Sequence, residues 1–387
     1  MANRASSLTR QVAAWLLSMC ACVSLFFVAA STASAEPAKF WGVDPIALPT
    51  TDQFQRLHGG GVDSVRFGIN WHAIEKNQGQ EPDWSGVDAM VTGIASAGME
   101  GLPFITGAPD WAVPTVSVNA ASDSSAPLHL PVRTGAEKSA WKTFVQTAAQ
   151  RYGPNGTFWQ AHPGVPVRPI RTWQIWNEPN FKYFVARPNP VEYGKLVKVS
   201  YTALKSVDSG AKIVLGGLFV HPKEGEDKYK KRKPRTAYFA TEFLDQFYRS
   251  TPGIKTKFQG IALHPYTPSY NRLTPDIEEV RKVLAKYKDA GKGIWITELG
   301  WSSEKPSVEN GNNQFEKGSQ GQVKQLKGAF KLLEKNQRKW HIQRVYWFSV
   351  DDDASVCNFC DGSGLFGPGF TPKPSWPAFV KFAGGTP

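Results

Sequence analysis

Thr172-Trp173-Gln174-Ile175-Trp176-Asn177-Glu178-Pro179-Asn180 reads as a short apolar strand that stops at Asn177-Glu178, with Pro179 ending its pairing. A carboxylate set where a strand stops, beside Trp and Asn, does little for packing. Gly293-Ile294-Trp295-Ile296-Thr297-Glu298-Leu299-Gly300-Trp301 repeats the arrangement, a buried-type strand that runs into Glu298. Two strand-end glutamates form a candidate carboxylate pair, and such pairs are the chemistry of glycosidic-bond cleavage.

Outward from these two stretches, apolar β-branched runs alternate with amphipathic helical patterns, the signature of βα units. Strands are expected at Phe40 to Asp44, Ser64 to Ile69, Gly101 to Thr106, Ile170 to Trp176, Lys212 to Gly216, Gly260 to His264, Gly293 to Glu298 and Arg344 to Ser349. Helices are expected at Trp84 to Ala97, Ala136 to Arg151, Pro190 to Val207, Ala237 to Arg249, Pro275 to Lys288 and Ser319 to Lys335, with a short last one near Ser375 to Phe382. Eight βα units predict an α/β fold, a (β/α)8 TIM barrel. A doubly wound sheet is the alternative that periodicity leaves open. In a barrel, Glu178 after strand four and Glu298 at the end of strand seven face the same C-terminal mouth. The long irregular stretches Gly107 to Gly135 and His221 to Thr236 also follow strands, so they become long βα loops walling that mouth.

The N-terminus is read separately. Arg4 and Arg10, the apolar run Val12 to Ala30 and Ala33-Ser34-Ala35 form the three parts of a secretory signal peptide over residues 1–35. The small-residue exit argues against an uncleaved anchor. No later stretch is long and apolar enough to span a bilayer. The expected product is a secreted, extracellular protein with one catalytic domain over residues 36–387 and no stable membrane anchor. It is read as a monomer.

Of four cysteines, Cys20 and Cys22 fall in the leader. Cys357 and Cys360 remain, and in a secreted chain they are a local disulfide or half of a metal site. No second pair completes a zinc tetrad, so the disulfide is favoured. Asp351-Asp352-Asp353 lacks the spacing of a calcium loop and reads as a polar loop contact. No metal and no cofactor are expected.

The net charge is +12, or +10 once Arg4 and Arg10 are set aside. Part of the excess lies in Lys228-Tyr229-Lys230-Lys231-Arg232-Lys233-Pro234-Arg235. This run is either a solvated basic loop or a grip on an acidic glycan or cell wall. The export signal disfavours nucleic acid. Aromatic content is high, with 14 Trp. Several lie near strand ends, where flat rings can stack on sugar faces.

Trp-Asn-Glu-Pro at 176–179 on strand four, with Thr-Glu-Leu-Gly-Trp at 297–301 on strand seven, resembles clan A of the glycoside hydrolases, near families 5 and 39. That clan includes cellulases, β-mannanases and β-xylosidases. The resemblance spans nearly the whole mature chain. It implies a retaining β-glycoside hydrolase acting on a poly- or oligosaccharide, with Glu178 as general acid/base and Glu298 as nucleophile. A catalytically silent carbohydrate-binding barrel and a transglycosylase using the same glutamates are the alternatives. The resemblance also implies that Arg66 on strand two balances charge and that Asn177 binds the sugar 2-hydroxyl. His264 would line the subsite, Tyr266 would hydrogen-bond the nucleophile, and Trp347 would form the floor beneath the sugar. Trp71 and Trp111 are candidate further platforms. The two long loops match no specific subfamily pattern, and Gly216-Gly217 offers no side chain where strand five often helps bind substrate.

Overall fold

The computed structural model describes residues 40–119, 124–226, 230–231, 233–306, 314–352 and 361–387. Eight strands close into a barrel: β1 (Trp41–Asp44), β2 (Ser64–Asn70), β3 (Glu100–Thr106), β4 (Thr172–Ile175), β5 (Lys212–Phe219), β6 (Gly260–His264), β7 (Gly293–Leu299) and β8 (Ile342–Phe348). All barrel pairings are parallel. β8 closes on β1 with Trp41 opposite Val345 and Asp44 opposite Phe348. A helix follows each strand: α1 (Thr51–Gly59), α2 (Ser85–Ser96), α3 (Gly135–Tyr152), α4 (Pro190–Val207), α5 (Ala240–Ser250), α6 (Leu273–Lys286), α7 (Gly318–Trp340) and α8 (Ser375–Ala383). This is the (β/α)8 barrel that the alternation predicts.

Local chemistry accounts for the elements. β7 is buried along nearly its whole length, since one face looks into the barrel and the other onto helices. α5 buries Phe243, Leu244, Phe247 and Tyr248 on one stripe. α4 starts at Asn189, whose side chain accepts from the backbone N–H of Val191 and Glu192, with Pro190 in the first turn. α1 is held by a capping box between Thr50 and Gln53. Between strands and helices lies an aromatic layer. Trp41 stacks on Phe330 of α7 at 4.1 Å, and Phe144 of α3 lies between Trp71 and Trp84 at 5.4 and 5.5 Å. Burying a side chain such as Phe330 contributes about 1.5–3 kcal/mol over leaving it exposed.

The boundaries differ in instructive places. β4 stops at Ile175 because Trp176 and Glu178 take φ of 69° and 38°, outside the extended region. β5 continues past Gly216 to Phe219 through a register irregularity between Leu215 and Leu218. The stretch Gly107 to Gly135 is not wholly irregular. It carries a two-stranded antiparallel hairpin, Thr115–Asn119 with Ser124–Pro127. The hairpin's end is tied to the loop after β4 by Ala186 N–H donating to Pro127 O at 2.9 Å.

The N-terminal floor of the barrel has a compact polar plug. Arg344 donates from Nη2 to Glu100 Oε2 at 2.6 Å and from Nη1 to Ser64 Oγ at 3.0 Å, and Ser64 meets Tyr346 Oη at 2.8 Å. No helix of the described residues is long and apolar enough to cross a membrane. The leader, residues 1–35, and the pair Cys357 and Cys360 lie outside the described residues.

Candidate active site

The end of β4 turns sharply into the mouth. Left-handed backbone at two non-glycine residues costs of order 1–3 kcal/mol each and persists only when neighbours enforce it. Here they do. Trp176 N–H donates to Ile105 O at 2.8 Å, and its indole Nε1 to Phe184 O at 3.1 Å. Tyr193 Oη donates to Ile175 O at 2.8 Å. Asn180, fully buried, donates to Phe219 O and Tyr238 O, each at 2.8 Å, and accepts from Phe219 N–H at 3.1 Å. The bend brings Glu178 Oε1 to 2.8 Å from His264 Nδ1.

His264 closes β6 and is wholly buried, with Nε2 at 3.0 Å from Thr297 Oγ1 of β7. Its place requires Gly217, where a Cβ would sit 1.9 Å from the His264 ring nitrogen Nε2. The missing side chain on strand five is thus the space that the imidazole fills. Burial holds the His264 pKa well below its ordinary value, with the Arg66 charge adding to that, so the ring is neutral.

Glu298, the penultimate residue of β7, has both oxygens held. Oε1 accepts from Arg66 Nη1 at 2.8 Å and Oε2 from Tyr266 Oη at 2.7 Å. Arg66 is fully buried over the Phe104 ring at 4.0 Å. Its other donors reach Gln174 Oε1 at 2.9 Å, Asn177 Oδ1 at 2.5 Å and Asp44 Oδ2. An Arg donor facing Asn177 must meet its oxygen, which leaves the amide NH2 as that residue's remaining donor. One oxygen of Glu178, one oxygen of Glu298 and a His264 ring nitrogen lie within 4.8 Å of one another.

Both glutamates are pushed above the usual carboxylate range, by unequal amounts. For Glu178, burial and then the Glu298 charge raise the pKa far, and Arg66 opposes them only from a distance. For Glu298, burial raises it, while the Arg66 charge and hydrogen bonds from Tyr266 and Arg66 pull it back. Glu298 therefore ionises first, and the pair can hold one negative charge and one proton side by side. Burial and the Glu298 charge raise the Tyr266 phenol well above its ordinary value, so it remains a donor. Among the described residues, Glu178, His264 and Glu298 are also the one group with ligand atoms close enough for a metal. The 2.8 Å separation of Nδ1 and Oε1 is a direct hydrogen bond, shorter than the roughly 3.3 Å between two ligands of one tetrahedral zinc at ordinary bond lengths.

Several expected sugar contacts need correcting. Trp347 is fully buried, packs on Phe330 and Trp301, and donates from Nε1 to Ser363 O at 3.0 Å. It faces the helices. Strand alternation explains this: Tyr346 points inward to Ser64, so Phe348, two residues on, shares that inward face. Phe348 is half-buried with its ring 6.3 Å from Tyr266. Trp71 is likewise closed off among Trp111, Trp141 and Phe144. His264 and Arg66, both without exposed surface, grip Glu178 and Glu298 rather than sugar. Trp111 keeps part of its ring exposed in the loop after β3, and its Nε1 donates to Glu75 O at 3.0 Å.

Of 351–353, Asp352 makes the polar loop contacts expected, accepting from Gly364 N–H and pairing with Lys373 at 2.7 Å each, while Asp353 lies outside the described residues. Arg235 of the basic run is committed to Glu242 through two hydrogen bonds of 2.6 and 2.5 Å and stacks over Tyr238. Residues 228, 229 and 232 of that run lie outside the described residues.

A parallel barrel with paired carboxylates at its C-terminal mouth is an arrangement suited to glycosidic-bond cleavage. A family model described as glycosyl hydrolase catalytic core matches residues 168–368, just over half of the chain, and the chain belongs to that family. Solved structures share the fold at low identity. A family 39 glycoside hydrolase from Bacteroides cellulosilyticus WH2 is 19% identical with a TM-score of 0.58, covering 90% of this chain and 63% of its own. A monomeric beta-xylosidase from Caulobacter crescentus CB15 is 17% identical with a TM-score of 0.58, covering 89% and 68%. An intracellular xylanase from Thermoanaerobacterium saccharolyticum is 14% identical with a TM-score of 0.57, covering 89% and 99%. The chain thus spans less than two thirds of the Bacteroides enzyme. No curated protein matches it.

Proposed function

We propose that this glycoside hydrolase is a secreted, retaining β-glycosidase that cleaves a β-linked poly- or oligosaccharide by double displacement. One observation carries the proposal: Glu178 and Glu298 offer carboxylate oxygens within 4.8 Å of each other. Retention needs carboxyl groups ~5–5.5 Å apart, whereas inversion needs ~6.5–9.5 Å to admit a water. In the first step Glu298 attacks the anomeric carbon, the bond to the leaving oxygen breaks, and Glu178 gives that oxygen its proton. In the second, Glu178 takes a proton from water, the water oxygen bonds to the anomeric carbon, and Glu298 departs as carboxylate. Tyr266 and Arg66 orient Glu298 through its two oxygens. His264 orients Glu178. The Asn177 amide donates to the sugar 2-hydroxyl, a contact that tightens as the oxocarbenium ion develops.

The N-terminal leader pattern supports export. The test is release of reducing sugar from a panel of β-glycans. Wild type is expected to release sugar from at least one glycan, and Glu298→Ala from none. Wild type as inert as Glu298→Ala on a glycan that it binds would defeat the proposal.

A further inference from the structure

The two oxygens of Glu178 are not equivalent. Oε1 lies 2.8 Å from His264 Nδ1, and Oε2 has no hydrogen-bond partner among the described residues. The same Nδ1 is 3.3 Å from Glu298 Oε2, while Nε2 on the far side of the ring is 3.0 Å from Thr297 Oγ1 of β7. We propose that Thr297 is a positioning residue for the acid: its hydroxyl donates to His264 Nε2, which commits the imidazole proton to Nδ1 and the transferable proton to Oε2 of Glu178. This inference rests on the reading of Glu178 as general acid/base.

Hydrogen-bond accounting supports it. A neutral imidazole carries one N–H and one bare nitrogen, and its partners decide which is which. Thr297 is fully buried, and among the described residues Nε2 is the only hydrogen-bond partner of its hydroxyl. A proton on Nε2 would make Oγ1 an acceptor and leave the hydroxyl hydrogen buried with nowhere to go. A bare Nε2 accepts that hydrogen and leaves no donor unmade. The other ring nitrogen gives the same answer independently. A bare Nδ1 would turn its lone pair towards Glu298 Oε2, an oxygen of the ionised carboxylate, whereas Nδ1–H is drawn to both glutamates. With Nδ1–H on Oε1, the proton of the acid form occupies Oε2. In the first displacement it passes from Oε2 to the leaving oxygen as the bond from that oxygen to the anomeric carbon breaks. In the second, Oε2 takes a proton from water. Nδ1–H stays on the imidazole throughout, so His264 holds the acid without joining the transfer. A proton on Oε1 would instead be tied up by Nδ1 and kept from the sugar.

In wild type labelled with 15N-histidine, two-bond proton–nitrogen correlations report the tautomer of each ring. The His264 set is the one absent from His264→Gln or, should that variant fail to fold, the one left when the remaining histidines are replaced one at a time. The expected result at neutral pH is a protonated Nδ1 and a bare Nε2. A protonated Nε2 overturns the inference. Thr297→Val removes the hydroxyl and keeps the shape. Its kcat/KM, which reports the first displacement, is expected to fall about fivefold more on natural β-glycosides than on aryl β-glycosides with good leaving groups. Thr297→Ser is expected to restore the wild-type ratio. Equal slowing of both substrates, or no slowing, overturns the role of Thr297, because a merely structural loss does not depend on the leaving group. Should Thr297→Val fail to fold, the wild-type tautomer decides. Glu178→Ala separates the two claims. If it spares aryl glycosides and Thr297→Val does not, the Thr297 role alone is defeated. If Glu178→Ala slows both substrates equally, the acid assignment fails and the Thr297 role falls with it.

Discussion

Each end of the barrel holds an arginine, half-buried at the floor and fully buried at the mouth, and the two are treated differently. At the floor, Arg344 meets one carboxylate, Glu100, and two hydroxyl-bearing neighbours, so the charges cancel. At the mouth, Arg66 meets Asp44 and Glu298 directly, with Glu178 close behind. The floor is a balanced plug that ties β2, β3 and β8 together. The mouth is left short of positive charge, and burial together with the Glu298 charge pushes the Glu178 carboxyl well above the usual range. The same side-chain types, in one barrel interior, build stability at one end and reactivity at the other.

The contrast can be broken by substitution. Glu298→Ala should abolish turnover of aryl and natural glycosides alike, by on the order of 10^4-fold or more in kcat. Glu178→Ala should slow natural substrates by about 10²–10⁴-fold, yet spare aryl glycosides whose good leaving groups need little protonation. Equal slowing of both substrate types would count against Glu178 as the acid. The arginines themselves give the most direct comparison. Arg66→Met strands two buried carboxylates and should cost about 3–5 kcal/mol in denaturant unfolding, with activity lost. Arg344→Met removes hydrogen bonds at the floor, should cost about 1–3 kcal/mol, and should leave kcat near wild type.

The smallest expected effect is a pH dependence of stability. Folding raises the Glu178 pKa, so above the ordinary Glu range near 4 the native state binds more protons than the unfolded chain. Stability therefore falls as pH rises from about 4, until the folded pKa of Glu178 is passed. Glu178→Gln lacks this loss. Its advantage over wild type should widen with pH across that window, by at most about 1.4 kcal/mol per pH unit. Parallel melting-temperature curves for the two proteins would contradict the raised pKa.

Much of the fold was legible because the barrel strands are apolar on both faces and helices with clear stripes separate them. Glu178 and Glu298 stood out for the same reason, as carboxylates at the ends of such strands. Asp44 satisfies that criterion too, since it ends β1, yet a short acidic strand end gives no motif to notice. The family resemblance pointed to Trp347, while the two-residue alternation that turns Trp347 to the helices and Phe348 inward needs β8 in register with β1. Gly217 carries no positive φ and no turn signature. Its purpose shows only when the His264 ring is seen against it. The hairpin after β3 was hidden in a stretch rich in Ala, Ser and Pro.

The proposed retaining pair is tested most directly by the anomeric configuration of the first sugar released, followed by proton NMR during early turnover of a β-glycoside. Retention by Glu178 and Glu298 predicts that the β-anomer appears first and the α-anomer follows only by mutarotation. An α-anomer formed first would contradict the assignment of Glu298 as nucleophile.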